Sequence, residues 1–191
     1  MRRRARQTTR KTELINAAIQ TIARSGTVDV TVADIAREAG MSTALAHHYF
    51  GSKDQMLLSA MREILRRYGA AVRQGLASAP PGAHRARLEA VLDASLGPDH
   101  FDAQTVAAWL NLYVMAQQGG AGARLLSVYH RRLRSNLLAD LRPLIGMRAE
   151  ALADMLGALI DGVYLRRALG AGDEMLDLPR YWLDRMLLQG D

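Results

Sequence analysis

Between Thr31 and Lys53 the chain gathers hydroxyls, imidazoles and an ammonium around Gly40: Thr31, Ser42, Thr43, His47, His48, Tyr49 and Lys53, with small Ala46 among them. Such side chains suit a polyanion. Hydroxyl and ammonium groups donate to phosphate oxygens, while imidazole and the methyls of Thr and Ala meet base edges in a groove. Thr43, Ala46 and His47 are therefore candidates for base-edge contact, with Ser42 beside them, and Thr31, Tyr49 and Lys53 for phosphate. Lys53 falls where a helix is expected to begin, and the free N–H groups there also favour phosphate. His47 and His48 do not suggest a metal. Adjacent helical residues point about 100° apart, and no further ligand follows at a completing spacing.

A second set lies far along the chain. Trp109 and Tyr113 stand four apart, on one helix face. Asp161 interrupts an apolar stretch containing Leu159, Ile160 and Val163, where an unpaired buried carboxylate is costly. A permanent cation would remove that cost. Ring faces plus one carboxylate are what a quaternary ammonium group requires, each ring contact supplying about 0.5–2 kcal/mol. The same residues also fit a plain core, in which Trp109 and Tyr113 simply pack. Asp161 would then pair with Arg132, Arg166 or Arg167, or cap a neighbouring helix.

The elements that must hold these groups are helices. Ala, Leu, Arg and Met abound, and period-two runs are missing apart from the brief Thr27–Val32, so an all-α chain of about nine helices is expected. Residues 1–9 are expected to form a mobile arm whose Arg2, Arg3, Arg4 and Arg6 enter a minor groove or neutralise phosphates. Helices are expected over about 9–25, from a Thr31 cap to Ala39, from a Ser42 cap to Phe50, and from a Ser52 cap to about Ala77. Five more follow, near 83–96, 102–118, 124–141, 147–169 and 179–188, separated by Gly- and Pro-containing breaks. The two short helices flank Ala39-Gly40-Met41-Ser42, with Val32, Ile35 and Ala36 turned toward Met41, Leu45 and Tyr49. That is a helix-turn-helix, whose second helix enters a major groove.

Charge follows the same division. Residues 1–53 carry nine Lys or Arg against four Asp or Glu, and so hold nearly all of the net +6 of the 191-residue chain. The expected domains are 1–53, meeting DNA, and 54–191, binding a ligand and a second copy. There is no cysteine, no apolar run of about 18 residues, and no apolar stretch after the basic start. A cytoplasmic protein with no membrane partner and no cofactor is expected. Gly-x-Ser-x-Gly, the Walker loop, His-Glu-x-x-His and the glycine fingerprint are all missing, so the chain does not read as an enzyme.

The stretch from Thr31 to Leu58, TVADIAREAGMSTALAHHYFGSKDQML, resembles the N-terminal signature of TetR-family transcriptional regulators, a likeness covering about residues 10–58. It implies a three-helix DNA-binding head reading a palindromic operator, a ligand-binding body, and a homodimer joined through the last two helices. Ala44 replaces the usual small Gly and His47 the frequent Tyr, which bears on the operator sequence and not on the fold. Ala108–Tyr113, Arg131–Leu137 and Leu159–Arg166 resemble the BetI branch of that family, repressors that respond to choline and control glycine betaine synthesis. The resemblance carries Trp109, Tyr113, Asp161 and Tyr164 over as effector-binding positions. A site with one acid and two rings also fits lipophilic cations, so a repressor of efflux or other metabolic genes is the alternative. Dimerisation has independent support: Met155, Leu159, Val163, Leu183, Met186 and Leu187 make broad apolar faces on the last two helices, and Gly157 and Gly162 would permit close approach.

Overall fold

The computed structural model describes residues 2–26, 29–97 and 102–188, except the side chains of residues 2–6, 103 and 104. Among the described residues there are nine α-helices and no strand. They are α1 (Arg2–Ser25), α2 (Val32–Glu38), α3 (Thr43–Phe50), α4 (Lys53–Ser78), α5 (His84–Leu96), α6 (Ala103–Gln117), α7 (Gly120–Ile145), α8 (Ala149–Ala168) and α9 (Leu178–Leu188). Two single 3-10 turns, Gly146–Arg148 and Asp173–Met175, precede α8 and α9. No helix among these residues is long and apolar enough to cross a membrane.

The helices form two compact units. The first runs to Leu65 and adds Ala103–Ala123; the second holds Arg66–Asp102 and the chain from Arg124 onward. In the first unit α1 buries Leu14, Ala18 and Ile22, spaced four apart, and packs against both α2 and α6. Ile35 and Ala36 of α2, Ala46 and Phe50 of α3, and Met56 and Met61 of α4 complete that core. In the second unit Leu88, Leu92, Leu137, Leu141, Leu156 and Ile160 are buried, and α9 packs on α8 and α5.

Three expectations change. Residues 2–9 are not an arm; α1 begins at Arg2. Arg, Ala and Gln are sound helix formers, and nothing between Arg2 and Thr9 breaks the run. The side chains of Arg2, Arg3, Arg4 and Arg6 lie outside the described residues. The glycine-rich stretch before residue 124 is also partly helical, with α7 starting at Gly120. Gly122 is needed there for space, because a Cβ would stand 2.8 Å from the Met115 carbonyl oxygen. α7 then carries Pro143 inside it and ends at Ile145, so the missing N–H falls in the last turn. Finally, Val163 and Leu183 are buried within the chain, whereas Leu165 of α8, Leu169 just past its end, and Tyr181, Trp182 and Leu188 of α9 are exposed.

Candidate functional site

The helix-turn-helix is fixed at both joints. The Thr31 hydroxyl accepts the Asp34 N–H at 3.1 Å, and the Asp34 carboxylate accepts the Thr31 N–H at 3.1 Å, a reciprocal cap. The same carboxylate accepts the Thr31 hydroxyl proton at 2.6 Å. These bonds, the hydroxyl first, the backbone N–H next and Arg37 after them, hold Asp34 below the usual carboxylate range. Thr31, expected at a phosphate, thus commits its hydroxyl proton to Asp34. At the far end of α2, Gly40 takes φ +61°. Its N–H reaches the Arg37 carbonyl at 3.1 Å and the Met41 N–H reaches that of Ala36 at 2.8 Å. This is the Schellman closure that a left-handed glycine allows.

Ser42 caps α3 through the Leu45 N–H at 3.2 Å, so Thr43 is the first helical residue, and it is exposed. His47 is exposed on the next turn. Its Nδ1 lies 3.2 Å from the Gly51 carbonyl. A carbonyl only accepts, so Nδ1 is the donor in this contact and Nε2 is left facing outward. Tyr49 is half-buried, its ring edge-on to His48. Ser52 caps α4 through the Gln55 N–H at 3.2 Å. Lys53 opens that helix half-exposed, with Nζ 3.6 Å from Asp29. Ala46 corrects the base-contact set: it is fully buried. One helical turn separates Thr43 from His47, but Ala46 lies about 100° round from His47, on the side facing the core, so its methyl does not reach a base.

Of the effector candidates, Trp109 and Tyr113 belong to the first unit and Asp161 and Tyr164 to the second. The Trp109 and Tyr113 rings lie 6.2 Å apart, and Trp109 is 2% exposed, a core residue of its unit. Asp161 is not buried and alone. Its side chain is 31% exposed, and one oxygen lies 3.0 Å from His130 Nε2 on α7. Of the expected arginine partners, Arg167 reaches Asp173 at 2.9 Å. Arg166 and Arg167 stand five and six residues on, about 140° and 120° away around the helix. Arg132 stands two residues beyond His130, on the other side of α7. Asp161 lines a cleft of about 250 Å³ between α7 and α8, with His130, Leu133, Ala153, Gly157 and Ala158.

Sequence reasoning missed two tyrosines, Tyr68 and Tyr129. Their rings meet edge-on at 5.4 Å, and the Tyr68 hydroxyl lies 3.3 Å from Ser95 Oγ. The Tyr164 hydroxyl donates to the Ser95 carbonyl at 2.6 Å and is buried. Burial pushes the Tyr68 hydroxyl up to about 12; the Ser95 hydrogen bond opposes the shift and the Asp161 charge adds to it. Tyr164 is also raised, by burial first and then by Tyr68, Asp102 and Asp161. The Asp161 charge is therefore felt at two phenols. Spacing held the signal. Ile64, Tyr68 and Val72 continue the inner stripe of α4, and Tyr129, Leu133 and Leu137 that of α7. The arginines beside both tyrosines obscure it.

Two family models match the chain: bacterial regulatory proteins of the tetR family over residues 14–60, and the C-terminal part of BetI-type transcriptional repressors over residues 80–188. The HTH-type transcriptional regulator BetI of Brucella suis biovar 1 is 49% identical over 167 residues, covering 85% of this chain and 81% of that protein. Among solved structures, a TetR transcription regulator from Haloarcula marismortui superposes with a TM-score of 0.84 at 22% identity, over 94% of this chain and 97% of that one. A transcriptional regulator from Saccharomonospora viridis, solved in complex with choline, gives a TM-score of 0.81 at 24% identity, over 96% and 97% of the two chains. These structural likenesses speak to the fold. The relatives are regulators and not enzymes. With both parts matched and nearly half of the aligned residues identical in the Brucella protein, the chain belongs to the TetR family of DNA-binding transcriptional regulators, in its BetI-type group.

Proposed function

We propose that this repressor senses choline and controls genes of choline uptake and glycine betaine synthesis, acting in the cytoplasm as a homodimer on a palindromic operator. Residues 1–53 would form the DNA-binding part and 54–191 the ligand-binding and dimerising part. Thr43 and His47 meet base edges, with Ser42 beside them at the helix start. Tyr49 and Lys53 meet phosphates, and Thr31 serves by holding α2 in place. The observation that carries the effector reading is Asp161, a half-exposed carboxylate on a cleft of about 250 Å³, its charge felt at Tyr68 and Tyr164. A quaternary ammonium needs one such counter-charge beside apolar surface. Trp109, Tyr113 and Tyr164 remain effector positions by family likeness, each open to its own variant.

Effector binding acts by population shift. A 100-fold change in operator occupancy requires the ligand to bind the DNA-incompetent state about 100-fold better, about 2.7 kcal/mol. The test is isothermal titration with choline, betaine aldehyde, glycine betaine and a lipophilic cation, followed by operator gel shifts. Choline is expected to bind and to change operator retention, and Asp161→Asn to lose that response while keeping operator affinity. Binding of the lipophilic cation alone would move the protein to drug sensing; an unchanged choline response in Asp161→Asn would remove the carboxylate from the site.

A further inference from the structure

We propose that His130 is an internal competitor for the effector site, a built-in cation that occupies the Asp161 carboxylate when protonated and so makes choline affinity depend on pH. This deepens the choline reading and rests on Asp161 being the counter-charge. His130 Nε2 stands 3.0 Å from Asp161 Oδ2, across the α7–α8 cleft that both residues line. The imidazole is 45% exposed and so free to exchange protons with solvent. Choline carries a permanent charge and cannot lose it. Imidazole is the side chain whose charge ordinarily changes between about pH 5 and pH 8. A neutral ring donates one hydrogen bond to Asp161; a protonated ring adds a full opposing charge. Choline must replace that charge before it reaches the carboxylate.

The surroundings keep the pair distinct. From α8, His130 faces Asp161 and, farther along the cleft, Asp154. Asp154 is already matched by Arg134 of α7 at 2.6 Å, and Arg134 also meets Glu150 at 2.8 Å. On its own helix His130 lies beside Tyr129, with rings 5.2 Å apart, and Tyr129 in turn touches Tyr68 of α4. Burial pushes the Tyr68 phenol up to about 12, so it adds no charge beside the pair.

The test is choline titration of the intact protein without DNA, by calorimetry, at about pH 6 and about pH 8. Wild type is expected to bind about three- to fivefold more weakly at the lower pH, the size of a half-exposed ion pair. His130→Asn, which cannot take the charge, should bind equally at both pH values. His130→Lys, which never loses it, should bind weakly at both. A flat wild-type profile, or a slope that survives in His130→Asn, overturns the competitor while leaving the site intact. Asp161→Asn separates the two ideas. If it binds choline as well as wild type at the higher pH, or if wild type binds no choline, the site reading fails and the competitor with it.

Discussion

Gly162 of α8, outside the Asp161 cleft, tests where a second copy would sit. A Cβ built there meets nothing within 4 Å in the chain itself. If that space is solvent, Gly→Ala in the helix interior gains roughly 1 kcal/mol, and for a chain of this length it should raise Tm by about 2–4 °C. If the α8 of a second copy lies there, each new methyl meets a backbone instead. Overfilling a packed contact costs about 1–3 kcal/mol, and a two-fold interface receives the methyl twice. A loss of about 2 kcal/mol per dimer weakens association roughly thirtyfold, more than the helix gains. Sedimentation over a concentration series should therefore show Gly162→Ala dissociating at concentrations where wild type stays dimeric, while the separated chain melts higher. An unchanged dimer constant in Gly162→Ala, with a higher Tm, would refute a docked α8.

Two further outcomes follow from the first unit. Lys53→Ala should weaken operator and scrambled duplex alike and lower the slope of log K against log salt by about 1, since one phosphate contact is lost; binding titrations at several salt concentrations read both. Thr31→Ala removes the α2 cap, with about 1 kcal/mol expected in thermal melts. It also tests a pH effect. Asp34 has a lowered folded pKa, so its stabilisation is present above the unfolded carboxylate range of about 4 and is lost as pH falls through the folded value. Thr31→Ala should flatten that acid limb.

The helices were legible because their ends are chemical. Thr31, Ser42 and Ser52 cap α2, α3 and α4 as their positions predict, and Gly26, Gly40 and Gly170 stand just past helix ends at positive φ. What failed needed a third dimension. Ala46 has the right type for a thymine contact but the wrong side of α3. Gly120 and Gly122 looked like a linker because sequence cannot show the Met115 carbonyl that makes glycine obligatory at 122. Asp161 suggested arginines near it in sequence, whereas a histidine 31 residues earlier faces it across a helix pair. Periodicity reports which face a residue occupies, not what stands opposite.

The chain enters the second unit after Leu65, returns for Ala103–Ala123, and leaves again at Arg124. Because α6 packs on α1, a fragment cut just after the helix-turn-helix would lose the helix that lies against its first one. A DNA reader trimmed from the C-terminus is therefore expected to be less stable than one that keeps Ala103–Ala123.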